Sequence, residues 1–269
     1  MIRVGIALGS GGIKGLAHIG VLKVIEKYKI PIDLISGSSA GALVGAFYII
    51  RGLKFLEEFV LSTNLRKLFY FLKPSFKESL IDNRNIKKFL EDNLGKTKIE
   101  ELDKKLFIVA TDIKTGEPYI FESGPVVDAI LASIAIPLIF KPVKIKNKYL
   151  IDGAFSMPVP VEILKNKGAD LKIAVNLYTD EIKIEKKLSQ LDILKNSLKI
   201  IQKNTAKIES QKADILIYPK FKKISFKNFN RQNFIKAGEI AAKRALKMLL
   251  PKITATADER PHGYMRIQN

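Results

Sequence analysis

The chain of 269 residues has no cysteine, only two histidines, and few acidic residues for its size. Without cysteine there are no disulfides and no thiol chemistry, which fits a protein of the cytoplasm. No apolar run reaches the ~18 residues that a membrane-crossing helix needs. The opening residues, MIRVGIALGSGG, lack the basic segment and long apolar stretch of a secretion signal and read as a first strand. Asp and Glu number 27 against 46 Lys and Arg, a net charge of +19. Such a surplus favours polyanions, either nucleic acid or the face of an anionic membrane. The lysines are spread along the chain, so most read as solvated surface. No acidic loop of the calcium-binding kind is visible, and neither a metal nor a cofactor is expected.

What is present is alternation. Residues 2–8 (IRVGIAL) read as a buried strand, followed by a glycine-rich turn and a helical pattern from Leu16 to Tyr28. Residues 31–36 (PIDLIS) and Ala40–Ile50 repeat strand, turn and helix. This is the pattern of a parallel sheet with crossover helices. Helices follow at 53–72, at 84–94 (closed by Gly95) and from Val126 to Ala135, stopped by Pro137; strands follow at 106–113, 148–155 and 171–178, with a hairpin at TGEPYIF. A lysine-rich helix near 188–212, a short strand ILIYP and a helix near 233–249 complete the pattern. An apolar fraction of 47% supports one large α/β domain over residues 1–250, with an irregular tail over 251–269.

The stretch ISGSSAGAL places Gly37-Ser38-Ser39-Ala40-Gly41 between an apolar strand and an apolar helix. Gly-x-Ser-x-Gly in that setting is the pattern of a nucleophile elbow, where Ser39 stands at a strained apex and flanking glycines let strand and helix approach. The same five residues also suit a plain helix cap. A serine nucleophile needs a base, and histidine is scarce: His18 lies inside the first helix and His262 in the tail. Carboxylates at strand ends remain. Asp152 ends KYLIDGAF, and Asp112 in VATDIKTGE is its rival, though an Asp before a turn commonly bonds nearby backbone. Asp33 lies in the strand before the elbow and points away from its tip. The segment Gly9 to Gly15 (GSGGIKG) offers backbone N–H groups for a phosphate or an oxyanion. It is no Walker loop, because neither Ser nor Thr follows Lys14. Nor is it a dinucleotide loop, because Ser10 stands where a glycine would be needed.

These segments together resemble the patatin-like phospholipase family. The likeness runs over about residues 2–178 and rests on ALGSGGIKGLAHIGVL (7–22), GSSAG (37–41), VATDIKTGE (109–117), ASIAIPLIFKPV (132–143) and IDGAF (151–155), in that order. It implies a three-layer α/β/α sandwich with a mostly parallel central sheet. It also implies a Ser39–Asp152 dyad without histidine, backbone oxyanion donors near Gly11, Gly12 and Lys14, and structural glycines at 37, 41 and 153. The activity implied is lipid acyl hydrolysis through an acyl-enzyme, with a phospholipid or other acyl ester as substrate. Ser10 takes the place of the family's first loop glycine; if that position requires a positive φ, Ser10 is strained there.

Two basic stretches bear on the substrate. KLFYFLKPSF (67–76) alternates aromatics with lysines and suits either a core-facing helix or a lid dipping into a bilayer. Lys144, Lys146 and Lys148, at alternate positions, are expected to share one face and to touch an anionic membrane. The competing expectations are an esterase or thioesterase of soluble acyl chains and, more distantly, a basic nucleic-acid-binding protein with a phosphate loop. No nucleic-acid partner is expected, because nothing in the sequence supports base readout.

Overall fold

The computed structural model describes residues 2–62, 83–179, 189–221 and 230–247. The stretch 67–76, read as a core-facing helix or a lid, and the expected tail at 251–269 lie outside the described residues. Strand β1 (Val4–Leu8) leads through a 3₁₀ turn at Gly12–Gly15 into α1 (Leu16–Lys27), and β2 (Leu34–Ser38) leads into α2 (Ala40–Ser62). A left-handed residue at Gly52 (φ 78°) kinks α2 between the two helical stretches expected from sequence. Then come α3 (Asn83–Leu94), β3 (Lys105–Asp112), β4 (Pro118–Phe121) and α4 (Val126–Ser133). After them lie β5 (Val143–Ile145), β6 (Lys148–Asp152), α5 (Val161–Asn166), β7 (Leu171–Val175), α6 (Gln190–Ser210), β8 (Ile215–Ile217) and α7 (Arg231–Leu246).

Strands β3, β2, β1, β7 and β8 run parallel in that order, β4 and β6 pair antiparallel with β3, and β5 pairs antiparallel with β6. The register fixes how the site is built. Val109 pairs with both Ser38 of β2 and Ile120 of β4, while Ala110 pairs with both Tyr119 of β4 and Asp152 of β6. A strand has two edges, so β4 takes one and β2 and β6 share the other. Strand β2 ends at Ser38, and β6 enters from beyond the carboxyl edge of the sheet and stops at Asp152, one register step further along β3. The two strand ends meet head to head.

Side chains alternate across the sheet, as pleating requires. Val4, Ile6 and Leu8 pack in the larger core on one face, with α1, α2, α4 and α7; Ala7 packs on the other face with Val161, Leu164 and Ala206 of α5 and α6. The chain is therefore an α/β fold with helical layers on both faces of the sheet. Helices α1 and α7 cross almost backbone to backbone. A Cβ on Gly20 would lie 1.8 Å from the Ile235 carbonyl oxygen, and one on Gly238 would lie 1.9 Å from that of Ala17.

Two expectations shift. The second strand is Leu34–Ser38 rather than 31–36, because its parallel partner β1 offers its first rung, Gly5, only at Leu34. Asp33 therefore precedes the strand, and its carboxylate accepts the Val4 N–H at 2.8 Å. The three hairpin lysines do not share a face. Lys144 is directly opposite Tyr149, and Lys148 opposite Ile145, on successive rungs of the β5–β6 ladder, which point to opposite sides. The Lys148 ammonium is moreover hydrogen-bonded to the Asp112 carboxylate.

Candidate active site

Ser39 sits at the turn from β2 into α2 with φ 53°, one of few non-glycine residues of positive φ among those described. Holding a side chain there costs about 1–3 kcal/mol. The packing around it leaves no alternative. A Cβ on Gly41 would lie 1.9 Å from the Leu8 carbonyl oxygen, so only glycine lets α2 start so close to β1. The Ser39 N–H donates to Ser133 Oγ at 2.8 Å, and the Ser133 hydroxyl donates to the Val109 carbonyl at 2.6 Å. Thus α4 and β3 hold the apex from behind. The N-terminus of α2 at this point favours negative charge.

Asp152 comes to the same place from β6. Ser39 Oγ–H donates to Asp152 Oδ2 at 2.6 Å. The other carboxylate oxygen, Oδ1, accepts the Ala154 N–H at 2.8 Å, and the Thr111 hydroxyl donates to the Asp152 carbonyl at 2.9 Å. A Cβ on Gly153 would meet the Val109 carbonyl oxygen at 2.3 Å and Ser38 Oγ at 2.8 Å, so the glycine after Asp152 is what lets the two strand ends meet. Burial pushes the Asp152 carboxyl up to about 6, against the opposing pull of the Ser39 hydroxyl and the Ala154 N–H. At neutral pH it is a carboxylate, with a proton affinity well above that of an exposed aspartate.

The structure separates the rivals. Asp112, at the far end of β3, is bonded by the Lys148 ammonium and by the Lys114 N–H, which hold it below the usual carboxylate range. His18 is buried, and its Nε2 donates to the Gly9 carbonyl at 2.7 Å. Burial lowers its pKa to about 4, so it is a neutral prop beneath the loop. His262 lies outside the described residues.

The loop after β1 lies beside the elbow. A Cβ on Gly15 would fall 2.6 Å from that of Ala40, the residue following Ser39. Among the described residues the N–H groups of Gly11 and Gly12 donate to no backbone carbonyl, whereas that of Lys14 turns inward to the Gly11 carbonyl at 3.2 Å. Ser10 has no positive φ; Gly12 carries the left-handed turn at 56°. Instead of being strained, Ser10 is anchored. Its N–H donates to the Pro158 carbonyl at 2.8 Å, and its hydroxyl is 2.7 Å from that of Tyr178. The Tyr178 hydroxyl donates in turn to Gln202 Oε1 at 3.4 Å. Glu209 of α6 accepts the Val159 N–H at 2.7 Å, which steadies the same Pro158–Pro160 strip. Burial pushes the Glu209 carboxyl up to about 8. Tyr178, Gln202 and Glu209 are not foreseen from the sequence, because each acts across a long separation and sits in no short motif; Ser133 lies within ASIAIPLIFKPV, but that string does not show that its hydroxyl holds the Ser39 N–H.

With this geometry in view, the family is settled by a match. The patatin-like phospholipase model matches residues 6–165. The chain belongs to the patatin-like phospholipase family. An uncharacterized NTE family protein of Mycobacterium tuberculosis is 36% identical over 180 residues, covering 66% of this chain and 50% of its own length. Lysophospholipase NTE1 of the yeast Meyerozyma guilliermondii is 33% identical over 185 residues, 65% of this chain and 12% of that protein. The chain thus spans half, or far less, of the curated relatives it matches. Among solved structures, VipD from Legionella pneumophila superposes with a TM-score of 0.52 over 92% of this chain and 67% of its own, at 13% identity, a likeness of fold.

Proposed function

We propose that this patatin-like chain is a serine hydrolase of lipid carboxylic esters, of the phospholipase A or lysophospholipase type, acting through a Ser39–Asp152 dyad. The observation that carries the reading is the 2.6 Å bond from Ser39 Oγ to Asp152 Oδ2 at a strained strand-to-helix apex, beside the N–H groups of Gly11 and Gly12, which donate to no backbone carbonyl among the described residues. Membership of a phospholipase family and likeness to proteins named lysophospholipase support the substrate class.

In this mechanism Asp152 Oδ2 takes the Ser39 proton as Oγ attacks the acyl carbonyl carbon. The carbonyl oxygen gains charge and is met by the N–H groups of Gly11 and Gly12. Collapse breaks the ester C–O bond, and Asp152 returns the proton to the departing alcohol oxygen. The acyl chain stays on Ser39. Water, deprotonated by Asp152, then attacks the acyl-serine and releases the fatty acid with Ser39 restored. A base of pKa about 6 suits both halves, because it is ionised at neutral pH and its conjugate acid is strong enough to give the proton back.

Labelling with a fluorophosphonate, then mapping the modified peptide, tests this directly. Modification of Ser39 is expected, and modification elsewhere with Ser39 untouched would remove the reading. A panel of acyl-chain lengths, assayed above and below micelle formation, distinguishes a lipid hydrolase from an esterase or thioesterase of soluble acyl chains. The lipid hydrolase gains activity at the aggregate surface, whereas the soluble enzyme does not.

A further inference from the structure

Helix α6 has two ends of different character. Its C-terminal end is built into the body: Ala206, Glu209 and Ser210 are buried, and Asn176 Nδ2, just past β7, donates to the Ala206 carbonyl and to Ser210 Oγ. Asp214, just beyond the helix, bonds Lys172 at the amino end of β7, while Gln202 meets Tyr178 beyond its carboxyl end. Read backwards from Ser210, the helix climbs along β7 toward the carboxyl edge of the sheet, where Ser39 and Asp152 lie. Residues 190–201, the part of the helix before the Gln202–Tyr178 contact, add about 18 Å at 1.5 Å per residue. None of residues 192–205 is buried. The projection begins in a closed cap, in which Ser189 Oγ accepts the Asp192 N–H and Asp192 accepts the Ser189 N–H.

A helix that leaves the body is expected to be polar all round. This one is not. Ile193, Leu194, Ile200, Ile201 and Ile208 are 43–63% exposed. At 100° per residue they fall, with Ser197 and Asn204, within about a third of the circumference, and no charge interrupts them. Lys207 borders this stripe, while Lys203 and Lys199, one and two turns earlier, are carried progressively round toward the inner face. Beyond the carboxyl end of β3 stand two more exposed apolar side chains, Ile113 and Tyr149, tied by a 3.0 Å backbone bond. The Lys144 ammonium lies 5.7 Å from the Tyr149 ring centre.

We propose that the outer face of α6 is a docking surface for an anionic phospholipid bilayer, seating the catalytic edge on the membrane. An apolar stripe bordered by Lys207 on a strongly cationic chain is the chemistry of an interfacial helix: the isoleucines enter the acyl boundary while the Lys207 ammonium meets lipid phosphate. Charge disfavours a second copy of the chain, because a net charge of +19 repels its like. The inference rests on the reading that the substrate is a membrane lipid. It gives α6 two tasks, since its inner face anchors the Ser10 loop through Gln202 and Tyr178.

The test is sedimentation with phosphatidylglycerol/phosphatidylcholine vesicles, using the full chain carrying Ser39→Ala so that lipid is not consumed. Adding Ile200→Asp and Ile201→Asp is expected to weaken vesicle binding by about tenfold or more. Adding Lys207→Glu is expected to weaken binding to anionic vesicles alone and to lessen its salt dependence. In the Ser39 background the aspartate pair and the Lys207→Glu variant should both hydrolyse a soluble short-chain ester, and melt, as the parent does. Undiminished vesicle binding by the aspartate pair overturns the proposal. So does a parent dimer, seen by light scattering, that the aspartate pair dissolves, because the face is then an interface between copies. If the parent hydrolyses no ester yet its vesicle binding still depends on Ile200 and Ile201, the catalytic reading falls and the docking surface stands.

Discussion

Asp152 and Glu209 are both carboxylates withdrawn from water around the same glycine loop, and burial raises both, to about 6 and about 8. They differ in what they face. Asp152 meets a hydroxyl proton, on a serine held at a strained apex. Glu209 meets a backbone N–H, which has no proton to give at any ordinary pH. The more perturbed carboxyl is thus the one that faces no transferable proton. Desolvation alone marks a site poorly, and the partner decides the role. The surroundings differ in the same way. The Asp152 end is made by backbone crowding at Gly41 and Gly153, whereas the Glu209 end is made by side chains reaching over from a distant helix.

The contrast should be widest in turnover. Ser39→Ala and Asp152→Asn are each expected to lower kcat/KM on a soluble ester by about a thousandfold or more with the circular dichroism spectrum unchanged. Glu209→Gln keeps an acceptor for the Val159 N–H and should stay within about tenfold of the parent. A loss at Glu209 as deep as at Asp152 would abolish the distinction between them.

The loop between the two carboxylates should respond next most strongly. Gly12→Val finds open space but must hold φ 56°, while Gly11→Val drives its Cβ to 2.9 Å from Leu177. Either moves an N–H donor, for an expected loss of about a hundred- to a thousandfold in kcat. Near-normal turnover in both variants would dismiss this loop as the oxyanion hole. Tyr178→Phe and Ser10→Ala remove opposite ends of one hydrogen bond. Each should cost a few fold in kcat with KM held, and the double variant should cost no more than one of them. Additive losses would mean that the two side chains do not act through each other.

The Ser39 end could be read from sequence because backbone crowding writes itself into short strings. Gly-x-Ser-x-Gly and Asp-Gly are residues that nothing larger can replace, and they mark both strand ends that meet. The order of elements was readable for the same reason, since hydrophobic periodicity and glycine punctuation are local. Other features were not local. That β6 reaches Asp152 from beyond the carboxyl edge depends on antiparallel register along β3, and no single strand states its partner. The crossing of α1 and α7 depends on Gly20 and Gly238, which look from sequence like ordinary helical glycines. Three lysines at alternate positions looked like one face, but the turn at Lys146 puts Lys144 and Lys148 on opposite sides.

The smallest expected difference is in stability, and its sign follows from the direction of the two shifts. A carboxyl whose pKa is raised on folding makes the native state bind protons more readily than the unfolded chain, so stability falls as pH rises from the unfolded value to the folded one. For Asp152 that window runs from 3.8 to about 6, and for Glu209 from 4.5 to about 8. Asp152→Asn and Glu209→Gln each remove one of these slopes. Near pH 4 both variants should melt close to the parent. Above that both should melt higher, because neither carries a buried charge, by an amount on the order of 1–3 kcal/mol, or a few degrees. The two curves should then part. The Asp152→Asn advantage is complete by about pH 7, while that of Glu209→Gln keeps growing to about pH 8. Thermal melts at half-unit steps from pH 4 to 9 measure both. A Glu209→Gln advantage already flat above pH 6 would mean that the Val159 N–H and the Lys212 charge compensate the carboxylate far better than its burial implies. Glu209 would then be an ordinary ionised anchor.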